Sequence, residues 1–400
     1  MRSFSLPRAG LVALAIGATV TLSACAGGTG PGSAAPASSP ATDTATRVAL
    51  SYPGGILVLD GQSLETLGDL SSEEFTRLNS AGDGRHVMVT TSTGFQVLDA
   101  GTPAADPELT DLVFPASKPG HVVTHGGTTV LYADGTSDST IFDTDALLAS
   151  TDSLPEVRTV PGVEAHHGVS IVLEDGTFLT TVGNADGRNG VVAKDASGAT
   201  LAESDDCPGV HGEGTAKDEV VVFGCENGAL VYDEGTFTKL TAPDQPYGRM
   251  GNAYVSENSA LIVGDYKDDR DAEGYLLHRL ALIDTAAKTQ RVVDMPEGAE
   301  YTFRDVARGP GDLAYVLASD GAIHVLDPAT GQFTDAFPVI DAWEGPAEWQ
   351  DAHPAIKVSG DLAYVTEPAK NAVHAVDLTT GQVVKSVTLE QTPNEIALTK

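Results

Sequence analysis

Eight short apolar phrases recur along the 400-residue chain, and each ends on an aspartate: Ile56-Leu57-Val58-Leu59-Asp60, Phe95–Asp99, Ile141–Asp143, Val191–Asp195, Ala229–Asp233, Leu280–Asp284, Ile323–Asp327 and Val373–Asp377. Successive aspartates stand between 38 and 52 residues apart. A period in the forties, built from alternating strands and turns rich in Gly and Asp, predicts a β-propeller with four strands per blade. No single unit of that size buries both its faces, so the units must pack on one another in series.

The last two copies fix the register. Asp312-Leu313-Ala314-Tyr315-Val316 matches Asp361-Leu362-Ala363-Tyr364-Val365, and Asp327-Pro328-Ala329-Thr330-Gly331 matches Asp377-Leu378-Thr379-Thr380-Gly381. One unit then reads as an inner strand over 303–308, a second over 313–319, a third over 322–327, a Pro-Ala-Thr-Gly turn and an outer strand over 333–339. On this register residues 47–74 supply only three strands, and residues 394–399 are a spare inner strand. The C-terminus is therefore expected to close the ring beside the N-terminal strands and leave no open sheet edge, which makes a monomer the expected state. The expectation is all-β with eight blades, or seven if the irregular 140–200 region forms one blade.

The ends of the chain carry a separate message. Arg2 and Arg8 precede an apolar run from Ala9 to Leu22, which closes in Leu22-Ser23-Ala24-Cys25. This pattern reads as a secretory signal over 1–24 ending in a lipobox, with Cys25 acylated and the protein tethered to the outer face of the membrane without spanning it. Residues 25–46, almost entirely Ala, Gly, Ser, Pro and Thr after the cysteine, read as a flexible linker, and the propeller is expected over 47–400. A net charge of -33 argues against nucleic acid and anionic headgroups as partners. Cys207 and Cys225 remain as an even pair in an oxidising compartment, where a disulfide is the expected outcome. The hairpin turning near Lys217-Asp218 would bring the two sulfurs together at its open end.

The chemistry lies in the histidines. His121, the vicinal pair His166 and His167, and His211 fall at or near the start of the inner strands of the third, fourth and fifth blades, so they converge on the channel from neighbouring blades. Neutral imidazoles brought together on a rigid scaffold select a borderline metal such as Zn2+. His125, Glu213, Asp351 and His353 are candidates for a further ligand or for orienting one. Strand alternation puts His211 and Glu213 on one face, and Asp351 and His353 likewise; His166 and His167 point to opposite faces, so one of them ligates. His86, His278, His324 and His374 sit in second or third strands and read as ordinary hydrogen-bonded histidines.

The phrases Ala165-His166-His167-Gly168-Val169, Cys207-Pro208-Gly209-Val210-His211-Gly212-Glu213 and Val222-Phe223-Gly224-Cys225-Glu226-Asn227-Gly228 resemble the AztD-type zinc metallochaperones, secreted propeller proteins that accompany a zinc ABC importer. The resemblance runs from about residue 47 to the end. It implies Zn2+ held by channel histidines and passed to the importer's solute-binding protein, with no catalytic residues. One departure concerns the N-terminal stretch, which is rich in His and Asp in members of this kind and contains no histidine here over 26–46. Two other functions compete: a propeller enzyme of the lactonase, lyase or quinoprotein kind using the same imidazoles, and a surface scaffold that binds a protein and no metal. No Ser/His/Asp phrase or paired-carboxylate spacing favours the enzyme.

Overall fold

A computed structural model describes residues 45–149 and 152–400. The signal, Cys25 and the linker up to residue 44 lie outside the described residues.

The described residues form eight sheets arranged in a ring, a β-propeller; each is built on four antiparallel strands, consecutive in sequence in all but the first, and the fifth adds a short parallel strand, Gly248–Arg249. Third strands such as Ala322–Asp327 (AIHVLD) and second strands such as Leu362–Glu367 (LAYVTE) are buried almost throughout, because their β-branched, aliphatic and aromatic side chains pack against the blades on both sides. Outer strands such as Gln332–Pro338 and Gln382–Thr388 are largely exposed, Val383 and Val384 included. Core clusters accordingly bridge blades: Val48, Leu50 and Leu59 of the first pack with Tyr364, Val373 and Ala375 of the eighth.

Seven of the eight recurrent aspartates hold turn amides, while Asp233 pairs with Lys288 at 2.6 Å. Asp377 accepts the Thr379 amide at 2.8 Å and the Thr380 amide at 3.2 Å, and Asp60 accepts those of Gln62 and Ser63 at 3.0 and 2.8 Å. Asp99, Asp143, Asp195, Asp284 and Asp327 act in the same way on backbone amides two to four residues ahead. A short carboxylate that satisfies the amides of the next turn explains why the third strand so regularly ends on Asp.

The ring closes as the register required. Ile396–Leu398 becomes the inner strand of the first blade, pairing Val48 with Leu398, Ala49 with Ala397 and Leu50 with Ile396. The count of eight holds, with the 140–200 region divided between the outer half of the third blade and the fourth blade (Ser170–Val172, Phe178–Gly183, Arg188–Lys194, Thr200–Ser204). In the fifth blade the inner strand His211–Thr215 turns through residues 217–219 into Val221–Cys225. Cys207 is disulfide-bonded to Cys225 across the open end of that hairpin, their Cα atoms 4.9 Å apart.

Candidate metal centre

Three of the predicted histidines meet. His121 comes from the inner strand Pro119–His125 of the third blade, His167 from the segment leading into the inner strand of the fourth, and His211 opens the inner strand of the fifth. Their ring centroids lie 4.9–5.2 Å apart, and one ring nitrogen from each falls within 4.8 Å of the others. A tetrahedral ion with Zn–N bonds of about 2.0–2.1 Å spaces its ligand atoms about 3.3 Å apart. The rings therefore stand close to the spacing that such an ion would require.

Hydrogen bonds aim the rings. Nδ1 of His211 donates to the Gly251 carbonyl at 2.5 Å; since a carbonyl can only accept, the proton is on Nδ1 and the Nε2 lone pair is free. Nδ1 of His167 donates to the Asp134 carboxylate at 2.6 Å. The two Nε2 atoms then face one another at 2.9 Å. Two nitrogens at that distance share a proton or a cation between them. Burial keeps protons away: it pushes the His211 imidazole down to about 3, opposing the Gly251 hydrogen bond and helped by the charges of His167, Arg249 and Arg188. Burial, followed by the charges of His211, His167, Arg77 and Arg188, likewise holds His121 well below the ordinary histidine range. A neutral imidazole offers its lone pair to a metal with no proton to displace.

Two glycines make the aiming possible. A Cβ on Gly120 would collide with the Asp134 carboxylate, so the residue beside His121 must be bare for Asp134 to reach His167. Gly212 has φ +60°, and a Cβ there would occupy the place of the Gly251 oxygen that holds His211. The loop carrying that oxygen is itself pinned by buried Asp265, which accepts the Gly251 and Asn252 amides at 2.5 and 2.9 Å.

The other candidates lie elsewhere. His166 turns away from His167, as alternation requires, and is consumed as a strut: Nδ1 is 2.9 Å from the Ser137 hydroxyl, and Nε2 is 3.1 Å from both Tyr132 and Thr181. It does not join the cluster. His125 stands four residues beyond His121, roughly 13 Å along a strand, with Nε2 2.6 Å from Glu219 Oε1. Glu213 was expected to share a face with His211, but the register shifts between them where Gly212 bulges, pairing His211 with Gly224 and Glu213 with Phe223. The bulge breaks the alternation. Glu213 lies outside the cluster, in surroundings that push its carboxyl up to about 8 by burial. His353 donates from Nδ1 to the Asp351 carbonyl at 2.7 Å and packs near Phe303; burial, then the charge of Arg304, lowers it to about 4. Asp351 turns its carboxylate to the Glu348 amide. His86, His278, His324 and His374 each pair with a nearby carboxylate, at 2.5–3.4 Å.

Sequence reasoning missed Asp134, Gly251 and Asp265. Asp134 follows the strand Thr128–Ala133 and looks like one more turn aspartate; the Gly251 contribution is a backbone atom, invisible to side-chain patterns. The cluster opens into a cavity of about 820 Å³ whose wall includes His121, His167 and His211 with Asp134, Arg249 and Trp349.

No protein-family profile matches the chain. A curated protein named "Zinc chaperone AztD", from Citrobacter koseri, is 25% identical over 362 residues, which span 84% of this chain and 81% of that protein. It is named a chaperone and not an enzyme. The crystal structure of apo AztD from Citrobacter koseri superposes with a TM-score of 0.74 at 22% identity, covering 89% of this chain and 98% of that one. A dihydro-heme d1 dehydrogenase, NirN, superposes with a TM-score of 0.60 at 13% identity over 90% of this chain and 76% of its own, a likeness of fold alone. The likeness to AztD-type proteins read from the histidine and cysteine phrases thus holds across most of the chain, in sequence and in the eight-bladed fold.

Proposed function

We propose that this protein is an extracytoplasmic zinc metallochaperone. Zn2+ is taken by Nε2 of His167, Nε2 of His211 and a ring nitrogen of His121, and is passed on to the solute-binding protein of a zinc ABC importer. The observation that carries the reading is the facing Nε2 pair at 2.9 Å, both rings oriented by acceptors behind them. His166, His125, Glu213, Asp351 and His353 stay outside the ligand set.

Three protein ligands leave the fourth coordination position to the cavity. An acceptor's ligand can enter there through a five-coordinate state before any histidine departs, which is how a held ion exchanges without being released to water. Transfer of this kind needs no histidine-rich tail. The lipobox at Cys25 tethers the protein to the outer face of the membrane, where an importer's binding protein works, and the Cys207–Cys225 disulfide suits that oxidising location.

Metal analysis after dialysis against buffered zinc should give about one zinc per chain, lost in His121→Ala, His167→Ala and His211→Ala alike. Mixing the loaded protein with an apo zinc-importer binding protein should then move the zinc faster than a chelator at the same concentration does. Undiminished stoichiometry in all three variants would overturn the site, and transfer no faster than release to the chelator would overturn the delivery step.

A further inference from the structure

The cavity is far larger than a metal ion with one water needs. A water molecule occupies about 30 Å³ of liquid, and pockets of about 300–1,000 Å³ are the size that takes small organic ligands; this one measures about 820 Å³.

Its wall also carries three cations and three carboxylates, and the two signs are held differently. The chain as a whole is strongly negative, yet Arg77, Arg249 and Lys267 line this cavity beside the histidines. The three carboxylates in the same wall are already engaged: Asp134 by His167, Asp265 by the 251–252 amides, and Glu73 by the Ser92 amide and hydroxyl. The cations are held by fewer and longer contacts. Among the described residues Arg249 and Lys267 make no salt bridge; Arg249 donates to the Gly209 carbonyl at 3.3 Å and Lys267 to the Ala272 carbonyl at 3.0 Å. Arg77 approaches Glu395 only at 3.6 Å, while Arg304 holds that carboxylate at 2.6 Å.

Arg249 and Lys267, which make no salt bridge among the described residues, and the loosely held Arg77 share this wall with three imidazoles, an arrangement that suits a dication arriving with an anion. We infer that the cavity binds zinc together with a small polycarboxylate: one carboxylate oxygen takes the fourth coordination position, and the remaining carboxylates pair with Arg249, Arg77 and Lys267. Guanidinium forks match carboxylates in geometry as well as charge. An oxygen ligand completes a tetrahedral zinc site as readily as water does. The inference rests on the proposed zinc site and adds the class of its co-ligand.

The test uses zinc alone, citrate alone and zinc with citrate, with free zinc held constant by a buffer so that chelation by citrate is removed from the comparison. Citrate at 1 mM should tighten apparent zinc binding at least ~5-fold, the lower end of ordinary coupling between two ligands, and should shift the visible spectrum of the Co2+-substituted protein. In Arg249→Gln and Lys267→Gln the citrate effect should fall below ~2-fold, while zinc alone binds more tightly because a positive charge facing the dication has gone. Zinc binding that citrate leaves unchanged at constant free zinc would overturn the inference and leave the zinc site standing. Failure of the wild type to bind zinc at all would overturn both.

Discussion

Replacing Asp134 tests whether the centre works through its outer hydrogen bonds. The carboxylate sits 2.6 Å from Nδ1 of His167, and a zinc ion on Nε2 of that ring would stand about 6–7 Å from it, given a Zn–N bond of about 2.0 Å. Removing a unit negative charge at that range from a dication costs about 1.3 kcal/mol even at the dielectric of water, and more in a partly enclosed cavity. Since 1.4 kcal/mol is tenfold in affinity, Asp134→Ala should weaken zinc binding by about 10–100-fold, the usual cost of losing a carboxylate behind a metal-bound histidine. Asp134→Asn should fall between the two proteins, because the amide oxygen still accepts the Nδ1 proton but brings no charge. Competition against a chromophoric chelator measures the affinities. Imidazole ¹⁵N shifts of the apoprotein report the tautomer, which should become mixed in the alanine variant. An affinity for Asp134→Ala within twofold of the wild type, with an unchanged circular dichroism spectrum, would refute the reasoning.

Other outcomes follow from the same geometry. His166→Ala should keep full zinc stoichiometry yet lose about 1–3 kcal/mol of stability in denaturant titration, because it strips partners from buried Ser137, Tyr132 and Thr181. The imidazoles of His121 and His211 are depressed below the ordinary histidine range and so are already unprotonated near pH 6.5; they have no proton to give up to zinc. Calorimetry in buffers of different ionisation enthalpy should therefore find one proton or fewer released per zinc between pH 6 and 7, and affinity should start to fall only at lower pH. Reducing the Cys207–Cys225 bond should cost about 3 kcal/mol for a loop closed across 18 residues, read as a lower unfolding midpoint.

Most of the scaffold was legible because it is periodic. Apolar third strands ending on aspartate recur every 38–52 residues, so the blades, the closing strand at 396–398 and the cysteine hairpin could be placed by counting. Counting also located His121 and His211, since both lie in strands whose inner position the register defines. It could not choose between His166 and His167, which precede the fourth blade's first strand. There alternation says only that they diverge, and the choice is made by the hydroxyls of Ser137, Tyr132 and Thr181 waiting on one side. Glu213 was misplaced for the opposite reason. The alternation rule was applied through Gly212, where a left-handed residue adds a bulge and resets the register.

The composition of the centre bears on what it is for. Zinc sites that hold a fold together are closed, with four protein ligands and commonly thiolates, and the fold fails without the metal. Here both cysteines of the propeller are committed to a disulfide, and the ring is closed by backbone pairing between Ile396–Leu398 and Arg47–Tyr52 with no metal involved. Asp134 and Gly251, both protein acceptors, orient two of the histidine rings. A scaffold whose rings are already held by protein acceptors would spend little reorganisation on capture, and three imidazoles beside a wide cavity would leave a fourth side from which another ligand could approach. Tight preorganisation with an open side is the combination that cargo requires, whereas an ion meant to stay would be better served by a fourth protein ligand in the place that the cavity now occupies.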